Sequence, residues 1–141
     1  MEINFFEEDY EFQLSNEEKA RVWIEKVVET YDKKTGFLNF IFTSEENILE
    51  INKQYLNHDY YTDIITFDYC TGNLVSGDLI ISLDTVSSNS KKFNSAFITE
   101  LHRVIIHGVL HLLGFKDKNS SEANEMRRNE DLALQQLKTI V

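Results

Sequence analysis

The chain has 141 residues, carries 14 Lys and Arg against 24 Asp and Glu for a formal net charge of −10, and is 42% apolar with six Tyr and ten Phe. This length and composition suit a single folded domain over residues 1–141 and exclude a disordered chain, which lacks such apolar content. No apolar run reaches the roughly 18 residues that a membrane span needs. The first residues are acidic, unlike a secretion signal, and the single Cys70 excludes an internal disulfide and fits a reducing compartment. We therefore expect a cytoplasmic protein with no membrane association.

The negative charge is unevenly distributed along the chain. Residues 1–86 contain 18 acids and six bases, whereas residues 87–118 contain five bases and two acids. A net negative charge disfavours a nucleic-acid partner, because phosphate binding needs positive charge. A local basic segment matters more to a partner than the total, so residues 87–118 are the part of the chain in which to look for an interaction site.

The hydrophobic pattern predicts strands and helices in an irregular order, which is typical of an α+β fold. We expect a small mixed four-stranded sheet with helices packed on it and a long apolar helix at the centre. The first predicted elements are a strand at 3–6, a helix capped by Ser15 with Glu18 completing a capping box, and a strand at 37–43 after a turn ended by Gly36. A helix from Ser44 to about residue 56 follows, and then strands at 62–68 and 77–82 that are joined by a hairpin loop. The remaining elements are a polar helix to about residue 92, the apolar helix from about 95 to 113, and a last helix capped by Ser120 or Ser121.

The sharpest motif lies on the apolar helix. His107 and His111 are four residues apart, so their side chains leave the helix on nearly the same face and can reach one metal ion. Gly114 is placed to stop the helix in the left-handed conformation, and the turn that it permits can return Asp117 as a third ligand. Unpartnered histidines would be costly on so apolar a helix. The pattern predicts a His-His-carboxylate site for one zinc ion with open positions, as in catalytic zinc sites.

The same spacing occurs in zinc proteases with the pattern His-Glu-x-x-His-x-x-Gly-x-x-His, in which the Glu beside the first His is the general base. That position is Gly108 in this chain. A metallopeptidase that uses the same three ligands is therefore an alternative, but it lacks the carboxylate that would activate its water.

The motif His-Gly-x-Leu-His-Leu-x-Gly with a third ligand resembles the signature of the YbeY-type metal-dependent endoribonucleases, also called rRNA maturation factors. Blocks at residues 51–55, 62–67 and 77–82 are similar to the family's upstream blocks in order and spacing, and so is the last helix with Met126 and Glu130. The resemblance covers about residues 36–134 and is far more specific than any one block.

The resemblance implies zinc-dependent cleavage of single-stranded RNA, with a role in maturation of the 16S rRNA 3′ end and in ribosome quality control. The implied partners are ribosomal RNA and the small ribosomal subunit, and no DNA is expected. The chemistry would be carried by one zinc ion per chain, held by His107, His111 and Asp117, and by its bound water. Attack by that water and attack by the ribose 2′-hydroxyl are both compatible with these residues.

Two positions depart from the family pattern. Asp117 stands where the third metal ligand is normally His, which lowers the net charge of the site by one. Leu56 stands where the family has an Arg thought to contact phosphate. The candidates to replace that charge or to contact the substrate are Lys53, His58, Thr62, Lys116 and Lys118, with His58 also a possible catalytic group. A non-catalytic, zinc-containing ribosome-assembly factor is the second alternative, and Leu56 favours it.

Overall fold

The computed structural model describes residues 2–55 and 62–140. Within these residues it contains four strands and five helices, and none of the helices combines the length and the apolarity that crossing a bilayer requires. The elements in chain order are β1 (Glu2–Glu7), α1 (Glu17–Thr30), β2 (Lys34–Thr43), α2 (Glu45–Tyr55), β3 (Ile64–Asp68), β4 (Leu74–Ser82), α3 (Leu83–Lys92), α4 (Phe97–Leu112) and α5 (Ser120–Lys138).

The four strands form one mixed sheet in the order β1-β2-β4-β3. The β1–β2 and β2–β4 pairs are parallel, and β3 runs antiparallel to β4 at the edge of the sheet. The parallel pairs need helical crossovers, which α1 and α2 supply, whereas β3 and β4 are joined by a short turn. The predicted α+β fold with a mixed four-stranded sheet is confirmed.

The core lies where α1 and α4 contact the sheet. The helix α4 is the most apolar of the five and buries eight of its 16 residues, so the prediction of a central apolar helix is confirmed. Trp23 of α1 is fully buried, and its indole Nε1–H donates to the carbonyl oxygen of Ala133 in α5 at 2.7 Å. This bond ties α5 to the core, and α5 in turn packs along α4.

Two helix caps lie one residue away from the predicted ones. Asn16, with φ of 57°, caps α1 by accepting from the backbone N–H of Lys19, whereas Ser15 was expected to do so. Asn119 caps α5 by accepting from the N–H of Glu122, in place of Ser120 or Ser121. Asn and Ser are equally good caps, so a sequence with both side by side does not decide which one closes the turn.

The start of β2 also differs from the prediction. Gly36 lies inside this strand and not at the end of the preceding turn, because β2 begins at Lys34. The pairing of β2 with β4 shifts between Thr35 and Leu38, and there the hydroxyl of Ser76 accepts from the N–H of Phe37 at 3.0 Å. A Cβ on Gly36 would occupy the space of that hydroxyl, so glycine is needed for close strand approach.

A second close approach fixes the spacing between β3, β4 and α4, and it generates a stability prediction. A Cβ on Gly77 would lie 2.5 Å from the carbonyl oxygen of Phe67 in β3 and 3.1 Å from Cδ1 of Leu112 in α4. We expect Gly77→Ala to lower the free energy of unfolding by about 1–3 kcal/mol, because backbone must move to admit the methyl group. Urea denaturation measures this change. The exposed Glu125→Ala should change it by less than about 0.5 kcal/mol, and equal stability of both variants would contradict the close packing.

Candidate metal centre

The last turns of α4 and the reversal after them place the three predicted ligands. His107 and His111 lie one turn apart on α4, which ends at Leu112. Gly114 then takes a φ of 107°, and the N–H of Phe115 donates back to the carbonyl oxygen of Leu110 at 3.0 Å. This left-handed glycine closure ends the helix and turns the chain back along it. As a result, Asp117 lies beside the two histidines.

The three side chains present one atom each to a common point. The Nε2 atoms of His107 and His111 are 3.0 Å apart, and Oδ2 of Asp117 lies 3.3 and 3.4 Å from them. In a tetrahedron whose centre lies about 2.0 Å from each corner, the typical zinc–nitrogen distance, corners are about 3.3 Å apart. The side chains of the three residues are 23%, 31% and 39% exposed, so one side of the group is open to solvent. The group therefore fits three ligands of a four-coordinate metal with an accessible fourth position.

The second ring nitrogen of each histidine is held by an acceptor. The Nδ1–H of His107 donates to Oε2 of Glu130 at 2.6 Å, and the Nδ1–H of His111 donates to the carbonyl oxygen of Phe115 at 3.0 Å. A proton on Nδ1 leaves the lone pair of Nε2 available to a metal, and the hydrogen bond fixes the orientation of the ring. Both imidazoles are thus oriented by the chain itself.

Glu130 is a buried carboxylate, 5% exposed, with both oxygens in use. Its Oε1 accepts from Nη1 of Arg103 at 2.8 Å, and Nη2 of Arg103 donates to Oδ1 of Asp131 at 2.7 Å. Burial alone would raise the pKa of Glu130, but the hydrogen bonds from His107 and Arg103 outweigh it and hold that pKa below its usual range. Glu130 is therefore a charged partner that links α5 to His107.

The same carboxylates act on His107. Burial lowers the pKa of His107, but the hydrogen bond and charge of Glu130, with the charges of Asp63 and Asp117, raise it above the usual value overall. A metal must displace the proton from Nε2 before it binds, so metal binding at this group releases a proton and weakens as the pH falls.

Two cavities meet at this group, and Asp63, His107 and Asp117 line both. One cavity, of about 440 Å³, continues along β3 past Thr62 and Thr66. The other, of about 460 Å³, continues between α4 and α5. Burial raises the pKa of Asp63, and the charge of His107 partly opposes that rise. The ligand group therefore lies where the two cavities join into one cleft.

The remaining predicted residues are distributed as follows. Thr62 lines the β3 cavity, so the structure brings it to the cleft. Lys116 lines a separate cavity with Ser121 and Glu122, and the N–H of Lys118 donates to Glu122. Lys53 lies on α2, where its Nζ is 4.0 Å from Glu50. None of these three lysines lines either of the two cavities that meet at His107. Both His58 and Leu56 lie outside the described residues.

Sequence reasoning did not assign Glu130 or Arg103 to the site. A signal for Glu130 was present, because it follows Met126 by four residues and precedes Ala133 by three, which puts an acid within the apolar stripe of α5. A buried acid needs a partner. Its partners are His107 and Arg103 because of the way α4 and α5 pack. The spacing of residues along the sequence does not specify that packing.

Fold and site together define a small α+β protein whose open cleft brings together two histidines and an aspartate that could hold a metal ion. A family model described as Endoribonuclease YbeY matches residues 3–138, and the chain belongs to this family. This match extends beyond residues 36–134, on which the resemblance found in the sequence rests. The resemblance is therefore confirmed.

Individual relatives agree with the family match. The chain is 53% identical over 134 residues to a Parabacteroides distasonis protein named Endoribonuclease YbeY, covering 95% of this chain and 94% of that one. A Bacteroides fragilis protein of the same name is 58% identical over 112 residues, covering 79% and 81%. The solution structure of a Thermotoga maritima protein is similar with a TM-score of 0.67 and 28% identity, covering 96% of this chain and 88% of that one.

The hydrogen bond from His107 to Glu130 generates a prediction about metal affinity. We expect Glu130→Gln to weaken metal binding, with zinc as the probe, by about 10- to 100-fold, because the neutral amide no longer holds the charge and orientation of the imidazole. A competition titration against a chromogenic chelator measures the change. Asp131→Asn is the matched control, since Asp131 contacts Arg103 but not His107. Equal losses in both variants would show that the effect does not pass through His107.

Proposed function

We propose that the chain is a zinc-dependent endoribonuclease that cuts single-stranded RNA, with one ion held by His107, His111 and Asp117. The observation that carries the proposal is the convergence of two imidazole nitrogens and one carboxylate oxygen at 3.0–3.4 Å in an open cleft. Membership of the Endoribonuclease YbeY family supports RNA as the substrate. Two nitrogens and one oxygen form a ligand set that zinc favours.

A zinc ion bound there would lower the pKa of a coordinated water towards about 7 and neutralise charge on a phosphoryl oxygen. The chain's own residues prepare that chemistry. Glu130 and the carbonyl of Phe115 orient the two imidazoles, so little rearrangement is needed on binding. Asp63 is the carboxylate outside the ligand group that lines both cavities, and we assign it the uptake and return of a proton. This assignment is compatible with a water or a 2′-hydroxyl as nucleophile.

The proposal extends to the biological setting. We place the activity in maturation of the 16S rRNA 3′ end and in ribosome quality control, with the small ribosomal subunit as partner and no role on DNA. Family membership supports this role, and the lone Cys70 fits the reducing conditions of the cytoplasm. We also propose that residues 1–141 work as one domain, since a single buried cluster includes residues from Ile3 to Ala133.

The two alternatives are less well supported. At Gly108, where a peptidase would need its Glu, a Cβ would already lie 2.6 Å from Leu79 and 2.7 Å from Ile64, so a carboxylate there must displace core packing. A purely structural zinc would have four protein ligands and no open side. Among the residues that the structure describes, three potential ligands converge and the fourth side faces the cleft.

Metal content tests the ligand assignment. Purified protein should contain about one zinc per chain, since one group of three ligands fills one tetrahedral site. Asp117→Ala should reduce that content, and His107→Ala with His111→Ala should abolish it; elemental analysis after dialysis measures both. The exposed Glu125→Gln should leave the content unchanged. Retention of the metal without either histidine would rule out the proposed site.

RNA cleavage tests the activity itself. We expect His111→Ala to cut a labelled single-stranded RNA at least about 100-fold more slowly than the wild type, because it loses the charge stabilisation that the metal supplies. Chelation should have the same effect, and added zinc should restore the wild type but not the variant. Glu125→Gln, purified in parallel, should cut at the wild-type rate. If all these preparations cut equally, the activity belongs to a contaminating nuclease.

A further inference from the structure

The 460 Å³ cavity continues away from the ligand group in one direction. It runs from His107 and Asp117 between α4 and α5 to the end of α3, where Phe93 forms its rim. Asn89 and Asn124 add amide groups to its walls. We call this cavity, with its rim, the α3–α5 groove. It begins at the ligand group, so a strand bound with one phosphate at the metal could continue into it.

Two arginines line the α3–α5 groove, and they differ in whether their side chains form salt bridges within the protein. Arg103 is held between Glu130 and Asp131 at 2.8 and 2.7 Å, so its charge is largely committed within the protein. Arg127 lies on the exposed surface of α5, and within residues 2–55 and 62–140 its side chain makes no hydrogen bond or salt bridge. Its charge partly opposes the rise that burial causes in the pKa of Glu100, which lines the same groove. Its guanidinium can therefore contact an anion such as a phosphate without breaking a salt bridge, which that of Arg103 cannot.

The rim of the groove presents an aromatic ring. Phe93 is 62% exposed, and its backbone is fixed because its N–H donates to the carbonyl oxygen of Asn89 at 2.9 Å. The Nζ of Lys92 lies 5.6 Å from the centre of the Phe93 ring. An exposed ring on a fixed backbone, next to a cation, is the combination on which proteins stack unpaired bases.

The cavity along β3 has a different character. Its walls carry the carboxylates Asp63 and Asp68 and the hydroxyls of Thr62 and Thr66, and among its described lining residues there is no Lys or Arg. Cations and an exposed aromatic ring therefore lie on one side of the ligand group. Carboxylates line both cavities, but arginines line only the α3–α5 groove, so a phosphate contact is favoured there.

We propose that the α3–α5 groove binds the nucleotide next to the scissile phosphate of single-stranded RNA, with Arg127 contacting its phosphate and Phe93 stacking on its base. This inference rests on the proposed function and deepens it by naming a substrate subsite. The groove also contains Glu100, whose carboxylate opposes an incoming phosphate, so binding should be modest and sensitive to salt. A duplex should bind less well, because its bases are already stacked on each other.

Matched variants test the two contacts by fluorescence anisotropy with a labelled 2′-O-methyl single strand of about ten nucleotides, a length suited to such sites. Arg127→Gln should weaken binding about fourfold near physiological salt and reduce the slope of log affinity against log salt by about 0.7. Arg128→Gln is the control, because Arg128 is the exposed neighbour that does not line the groove. It removes the same charge without removing the contact.

For the aromatic contact, Phe93→Leu should weaken binding about tenfold through loss of stacking, whereas Phe93→Trp should retain it. The control is Phe6→Leu, a ring that is 49% exposed on β1. An RNA duplex of the same length should bind more weakly and show no dependence on Phe93. Zinc content should be equal in all these variants, which separates a substrate contact from damage to the metal centre.

The outcomes separate this inference from the proposed function. A wild type that cuts RNA, while Arg127→Gln matches Arg128→Gln and Phe93→Leu matches Phe6→Leu in affinity, overturns the groove alone. Binding that depends on Arg127 and Phe93 without any cleavage supports the groove and overturns the endoribonuclease activity. A wild type that neither binds nor cuts the single strand overturns both.

Discussion

The carboxylate of Glu130 is the constraint on which the centre of this structure depends. It is buried, so its charge must be balanced by close partners, and it has two: the imidazole of His107 on one oxygen and the guanidinium of Arg103 on the other. These bonds join α5 to two successive turns of α4. The packing of the two helices and the orientation of a metal ligand are therefore set by one group, and neither can change without the other.

The other two ligands depend on a more local device. His111 is oriented by the carbonyl of Phe115, which the reversal at Gly114 brings back over the end of α4, and the same reversal delivers Asp117. Because this part of the site spans a few residues after the helix, it forms wherever the helix and its glycine stop form. His107 is different, since its orientation needs α5 to be docked. The positions of His111 and Asp117 are thus set by local structure, whereas the orientation of His107 depends on tertiary packing. Docking of α5 against α4 completes the site.

This division explains what the sequence could and could not predict. The spacing of His107 and His111, the glycine after the helix and the returning Asp117 are local, so elementary helix geometry was enough to group them. The irregular order of strands and helices likewise predicted the fold class. The contact between Glu130 and His107 spans 23 residues and depends on the relative rotation of two helices. The strand order and the shifted pairing at Gly36 depend on crossovers and close backbone approach, which no periodicity reveals.

The acidic charge of the chain also becomes consistent with an RNA substrate. Among the described acids of residues 1–86, Asp63 alone lines the α3–α5 groove. The cations of the groove are Arg103 and Arg127, with Lys92 beside the ring of Phe93 at its rim. Charges are screened beyond about 8 Å at physiological salt, so acids elsewhere on the surface hardly weaken a contact inside the groove. They do discourage RNA from adhering to the rest of the protein. Since Arg103 neutralises Glu130, the positive charge left to the substrate is small and lies close to the ligand group. Attraction is therefore confined to strands that reach the cleft, and a protein with a net charge of −10 can still be selective for RNA.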